Sequence, residues 1–110
     1  MHTIYKYRFA DGRYYSTGPT KTVRLDLPAN AQVLSCQLRG CSLNDITIWA
    51  EVETENHLVP RYFEIWATGV SMPRFFLPAD KRMDDGPRAF VATIQIGELV
   101  WHIFERTYCP

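Results

Sequence analysis

The stretch from Phe90 to Glu105 constrains the fold most strongly, because it has the pattern of a β-hairpin. Two runs rich in β-branched and aromatic residues flank Gly97 and Glu98, and a Gly-X pair suits a two-residue type II′ turn. That turn sets the register of the two strands. The predicted cross-strand partners are Ile96/Leu99, Ile94/Trp101 and Ala92/Ile103 on an apolar face, and Gln95/Val100, Thr93/His102 and Val91/Phe104 on a mixed face.

The rest of the chain shows the same alternation in short segments. Seven Pro and six Gly divide it into pieces of about 8–12 residues, the rhythm of a sandwich or barrel. Segment 61–68 carries bulky residues on both faces and is predicted to be a central strand, while Tyr14 and Tyr15 extend a hairpin arm. The other predicted strands are 3–10, 21–27, 32–39 and 46–53. In the strand at 32–39, Leu34, Cys36 and Leu38 are expected to share one face.

These patterns predict a single all-β domain over 1–110, an antiparallel sandwich or open barrel of about six or seven strands with little or no helix. No apolar residues recur at helical spacing over three turns. A single helical turn over 78–83 is the one exception that the sequence allows.

Charge and composition exclude several classes of function. Lys plus Arg and Asp plus Glu number 12 each and split evenly between the two halves, so we expect no binding to duplex nucleic acid. No apolar stretch is long enough to cross a membrane, and the first residues lack an apolar leader region, so we expect a soluble cytoplasmic protein. Three cysteines without zinc-ligand spacing predict free thiols and no metal site.

The usual catalytic motifs are missing, so we expect a protein that is not an enzyme and that needs no cofactor. There is no phosphate-binding glycine loop, nucleophile elbow or zinc-binding His-Glu pair. Of three histidines, His102 alone lies within a predicted strand. A lone strand histidine is more often a hydrogen-bonded structural residue than part of a site.

Segment 69–87 is a long connection for so small a domain, and long ordered loops tend to be functional. Its apolar triplet at 75–77 is flanked by Arg74 and by Lys81 and Arg82. One interpretation is that Phe75 and Leu77 only pin the loop to the domain. The other is that the loop binds a ligand or a protein.

The ligand hypothesis combines this loop with the mixed face of the hairpin. Aromatic rings would stack on a base, arginines would pair with phosphate, and a threonine and a histidine would form the floor. The predicted ligand-binding residues are Phe75, Phe76, Arg88, Thr93, His102 and Arg106.

Several motifs, above all Val-Trp-His-Ile-Phe-Glu at 100–105, resemble a family of small bacteriophage and prophage proteins. Others are Thr-Ile-Tyr-Lys-Tyr at 3–7, Ile-Trp-Ala at 48–50 and Arg-Tyr-Phe-Glu-Ile-Trp-Ala-Thr-Gly at 61–69. Relatives carry Gly-Thr-Gly where this chain has Ala-Thr-Gly at 67–69, and their next loop is shorter. The resemblance implies a phage origin and supplies no activity.

Two functions fit these observations. The first is a phage protein in the host bacterial cytoplasm that sequesters a small anionic, nucleotide-derived signal of bacterial defence without altering it. The second is a structural or protein-binding phage module that docks on a host or virion protein through the loop at 69–87. Because open sheets leave exposed edges, we also expect a homodimer or a higher homo-oligomer.

Overall fold

A computed structural model describes residues 1–17, 20–70 and 88–106 of the 110-residue chain. Within these ranges the chain forms eight strands and two short 3-10 turns, at Phe9–Asp11 and Leu43–Asp45. The strands are β1 (His2–Arg8), β2 (Arg13–Thr17), β3 (Thr20–Pro28), β4 (Gln32–Leu38), β5 (Ile46–Glu53), β6 (Leu58–Ala67), β7 (Arg88–Ile96) and β8 (Leu99–Arg106).

The strands form two antiparallel sheets. One has three strands in the order β1-β5-β4, and the other has five in the order β2-β3-β6-β8-β7. The predicted all-β sandwich is therefore confirmed, with β6 at the centre of the larger sheet as expected. The eighth strand arises because the hairpin arm at Tyr14 and Tyr15 becomes a full strand, β2, paired with β3.

The core lies between the two sheets and follows the predicted alternation. The apolar alternate residues are buried in β5, and so are Val23, Leu25 and Leu27 in β3. Thr47 and Thr22, on the other faces of these strands, are buried as well. Phe9, which opens the first 3-10 turn, packs against Phe63 of β6 with ring centroids 5.8 Å apart. The buried core comprises Phe9, Val23, Leu25, Leu27, Ala31, Ile46, Ile48, Ala50, Val52, Phe63, Ile65, Ile94 and Ile103.

The final hairpin has the predicted register near its turn and a different one at its far end. Gly97 has a φ of 60°, the positive value that the expected turn requires. The pairs from Ile96/Leu99 to Ala92/Ile103 form as predicted. A bulge between Phe90 and Ala92 then brings Phe90, and not Val91, opposite Phe104, so that prediction was wrong. Val91 packs against the core instead.

A second bulge changes β4. The pairing of β4 with β5 shifts between Val33 and Ser35, and this turns Leu34 outward until it is half exposed. Val33 packs on the core beside Cys36 and Leu38. The prediction that Leu34 shares their inward face was therefore wrong, because period-two alternation does not carry across an inserted residue. The helical turn predicted over 78–83, and most of the loop at 69–87, lie outside the described residues.

Candidate functional site

The site lies on the outer face of the five-stranded sheet, which we define as the face directed away from the three-stranded sheet. In β6, Phe63 and Ile65 belong to the core, so the alternate residues Glu64 and Trp66 point outward. Cross-strand pairing places Glu64 beside Phe104 and Trp66 beside His102 of β8. The outer face nevertheless buries both Glu64 and Trp66.

Two arginines hold the carboxylate of Glu64. Arg88 of β7 and Arg106 of β8 are direct cross-strand partners at the end of the hairpin remote from Gly97. Arg88 Nε donates to Glu64 Oε1, and Arg106 Nε donates to Glu64 Oε2 at 2.6 Å. The indole Nε1 of Trp66 donates to Oε1 at 3.0 Å. We call these four residues the Glu64 cluster.

Burial makes the Glu64 cluster electrostatically strong. The side chains of Glu64 and Arg88 are 1% and 4% exposed, while that of Arg106 is 22% exposed. Burial alone would raise the pKa of Glu64, but the hydrogen bonds from Arg106, Trp66 and Arg88 outweigh it and the pKa falls below its ordinary value. Glu64 is therefore ionised at neutral pH and offsets one of the two arginine charges.

Trp66 also supports the arginine directly. The guanidinium carbon of Arg88 lies 5.7 Å from the centroid of the Trp66 ring, within the range of a cation–π contact. The carboxylate and the ring thus orient Arg88 from two sides. Arg106, which is more exposed, is oriented by the carboxylate.

His102 is fixed by a threonine on each side. Its Nε2 lies 2.8 Å from Thr68 Oγ1, and its Nδ1 lies 3.2 Å from Thr93 Oγ1. The Thr68 hydroxyl donates to the carbonyl oxygen of Val100 at 3.1 Å, so it accepts a hydrogen bond from Nε2–H. In the neutral ring Nδ1 then accepts from Thr93. These contacts favour the interpretation of His102 as a structural, hydrogen-bonded residue.

A family model described as "Domain of unknown function (DUF7352)" matches residues 1–108. The chain belongs to this family. A search of curated proteins and a search of solved structures each found no match. The description of this family names no activity, ligand or partner.

The structure brings together four of the six sequence-predicted site residues. Thr93 and His102 pair directly, as the predicted register implied. Arg88 pairs directly with Arg106 because of the bulge between Phe90 and Ala92, since the predicted register continued without a bulge would place Ala89 opposite Arg106. Phe75 and Phe76 lie outside the described residues. Sequence reasoning missed Glu64 and Trp66.

A signal for Glu64 was present in the sequence. Glu64 lies between Phe63 and Ile65 in a strand predicted to be central, and a carboxylate in such a position requires cationic partners. The partner arginines could not be identified from the strand alone, because they belong to the hairpin that follows the long loop.

The described residues show neither a cluster of metal ligands nor a membrane-spanning helix. No three His, Cys, Asp or Glu side chains within them converge where a metal ion could bind. They also contain no helix long and apolar enough to cross a membrane.

Proposed function

We propose that this protein is a phage-encoded, non-enzymatic binding protein. Its ligand is a small anionic, nucleotide-derived signal of bacterial defence, held in the host cytoplasm on the outer face of the five-stranded sheet. The observation that carries the proposal is the arginine pair, Arg88 and Arg106, brought together around Glu64. The formal charges of the Glu64 cluster itself, two guanidinium groups and one carboxylate, sum to +1.

The geometry of the Glu64 cluster supports anion binding through Arg106. Glu64 engages Arg106 through Nε, which is one of five N–H groups on a guanidinium. Arg61, by contrast, uses all three of its guanidinium nitrogens within the protein. Its Nε and Nη2 donate to the two oxygens of Glu105 at 2.5 and 2.9 Å, and its Nη1 donates to Ala31 O. Arg106 is therefore positioned by Glu64 while its terminal nitrogens remain suited to a phosphate oxygen.

An exposed aromatic ring adjoins the arginine pair. Phe90 is 61% exposed and packs edge-to-face on Phe104, with the ring centroids 5.7 Å apart. The pair Phe90/Phe104 is the next pair on this face after Arg88/Arg106. A base stacked on Phe90 would thus place its phosphate near Arg106.

The same contacts favour binding over catalysis. Glu64 accepts three hydrogen bonds, and both ring nitrogens of His102 have threonine partners. Among the described residues of this face, neither group is positioned as a general base. The ligand would be sequestered and released intact.

Calorimetry with a panel of cyclic and linear nucleotide signals tests the proposal. Arg106→Ala is expected to weaken binding about 10- to 150-fold, the loss of one charge-assisted hydrogen bond. The matched control is Arg39→Ala, because Arg39 lies beyond β4 against Trp49 of the other sheet. No heat with any panel member, or equal losses in both variants, would refute this function.

We also propose a homodimer or higher homo-oligomer, supported by the edge strand β1. Its residues Ile4 and Tyr5 are large, apolar and exposed. Among the described strands β1 pairs only with β5, so its other edge is open. Native mass spectrometry of protein purified from bacteria would report the subunit count and any retained ligand together. Recovery of an intact ligand after denaturation would separate sequestration from catalysis.

A protein-binding phage module is the second candidate function. The loop at 69–87, through which docking was expected, lies mostly outside the described residues. Within them, exposed Phe90 and Leu34 line one cleft of about 410 Å³ between β7 and β4. Exposed apolar side chains beside strand edges suit an extended segment of a host protein. Two results together would favour this candidate. No nucleotide would bind in the calorimetric test, and a host protein would bind the wild type but not Phe90→Ser.

A further inference from the structure

A second group of cations lines a cleft where the chain passes from one sheet to the other. The cleft has a volume of about 550 Å³ and lies between β1 and the β2–β3 hairpin. This volume is in the range of small-molecule sites, roughly 300–1,000 Å³. Its ionisable lining residues, apart from tyrosine, are Lys6, Arg8, Arg13, Arg24, Asp11 and Asp26.

The charges in this cleft do not cancel. Four cations and two carboxylates give a net charge of +2. Arg24 Nε donates to Asp26 Oδ1 at 3.1 Å, and Arg8 pairs with Asp45, which lies outside the lining, at 3.7 Å. Within the described part of the chain, Lys6 and Arg13 have no acidic partner at ion-pair distance.

The like-charged pair Arg13/Arg24 is the informative feature. These arginines are direct cross-strand partners in β2 and β3, and like charges in that position repel. The five-stranded sheet contains another such pair, Arg88/Arg106, and there Glu64 lies between the two guanidinium groups. In the cleft Asp26 engages Arg24 and not Arg13.

Gly12 explains how closely the start of β2 approaches β3 beside the cleft. A Cβ atom at this position would lie 2.6 Å from Val23 Cγ2 and 2.7 Å from the carbonyl oxygen of Arg24. Only glycine therefore lets the start of β2 lie directly against β3. The close approach presents Arg13 beside Arg24, and Lys6 of β1 lines the same cleft.

We propose that this cleft is a second anion-binding site, distinct from the Glu64 cluster, and that its ligand is an organic phosphate monoester. The phosphate lies between Arg13 and Lys6 and takes the bridging role that Glu64 has in the other pair. Arg13 offers a planar fork to two phosphate oxygens, and Lys6 offers a compact charge. The carboxylates Asp11 and Asp26 accept hydrogen bonds from hydroxyl groups of the ester, which distinguishes a sugar phosphate or nucleotide from free phosphate.

Calorimetry at low ionic strength with AMP, ribose 5-phosphate and inorganic phosphate tests the site, with adenosine as the neutral control. AMP and ribose 5-phosphate are expected to bind more tightly than inorganic phosphate, and adenosine not at all. Arg13→Ala and Lys6→Ala should each weaken AMP binding about tenfold or more. Both side chains are exposed, so the variants should keep the wild-type melting temperature.

Amide and indole chemical shifts separate the two sites. AMP in the cleft should shift the backbone amides of Gly12 and Arg13 and leave the indole N–H of Trp66 unchanged. Arg106→Ala should not affect these shifts. The cleft can therefore be tested even if the Glu64 cluster proves to bind no nucleotide. Absence of AMP binding at millimolar concentration, or unchanged affinity in Arg13→Ala and Lys6→Ala, would overturn the proposal. Binding of inorganic phosphate as tight as that of AMP would overturn the ester specificity.

Discussion

Replacing Glu64 by Gln is expected to destabilise the fold severely although the two side chains have nearly the same shape. The amide oxygen can still accept hydrogen bonds from Trp66 and Arg88, as Glu64 Oε1 does. The amide NH₂ would face the Nε donor of Arg106, so one hydrogen bond becomes a contact between two donors. The two arginines, one of them 4% exposed, would also lose their counter-charge.

The magnitude follows from the burial of this charge cluster. Removing one partner of a buried ion pair typically costs about 3–5 kcal/mol, because the remaining charge stays buried without compensation. For a domain of this size, that loss corresponds to a fall in melting temperature of roughly 12 °C or more. It is a large part of a total stability of about 5–15 kcal/mol.

Urea unfolding of the wild type and of Glu64→Gln measures the loss. The matched control is Glu55→Gln, because Glu55 is exposed and solvent screens its ion pair with the N-terminal ammonium, so this variant should keep nearly the wild-type stability. A second variant combines Glu64→Leu with Arg88→Met and Arg106→Met. This variant should be more stable than Glu64→Gln, since it removes the buried charges, while loss of the acceptor for the Trp66 indole N–H should cost about 1–3 kcal/mol relative to the wild type. A loss below about 1 kcal/mol in Glu64→Gln would refute the placement of ionised Glu64 between buried arginines.

The effect of Glu64→Gln on stability is expected to depend on pH. Because the folded-state pKa of Glu64 lies below its ordinary value of 4.5, the unfolded state binds the proton first as pH falls. The stabilisation by Glu64 is therefore fully present above the unfolded pKa and is lost as pH falls through the folded pKa. The difference in unfolding free energy between wild type and Glu64→Gln should shrink over that acidic window. A difference that stays constant would contradict the lowered pKa.

Two further predictions concern the turn and the thiols. Gly97→Ala should lower the free energy of unfolding in urea by about 1–2 kcal/mol, because φ at this position is positive. A Cβ there would meet nothing within 4 Å, so the cost comes from the backbone alone. A loss equal to that of Glu98→Ala would contradict this. Burial raises the pKa of the Cys36 thiol to about 12, so in a Cys109→Ser background the exposed Cys41 should react with a disulfide reagent well before Cys36. Equal rates in the folded protein would show that Cys36 is accessible.

Local patterns in the sequence determined much of this fold. Strand β5 has the predicted bounds of 46–53, and its alternation alone identified the buried face. The turn at Gly97 set the hairpin register from Ile96/Leu99 to Ala92/Ile103. Both features depend on residues that are neighbours in the chain, so periodicity and turn chemistry suffice to specify them. The register also placed Thr93 opposite His102, and it placed Arg88 and Arg106 at the same end of the hairpin, remote from Gly97. The direct pairing of Arg88 with Arg106 depends on the bulge between Phe90 and Ala92.

The tertiary structure alone decided the rest. The bulges at Leu34 and Val91 break the alternation where β4 and β7 form the edges of the two sheets, and no local pattern marks an inserted residue. Glu64 meets its arginine partners because β6 pairs with β8, across separations of 24 residues to Arg88 and 42 to Arg106. The order of strands in a sheet is set by burial of the whole core, and a single strand does not encode its neighbours.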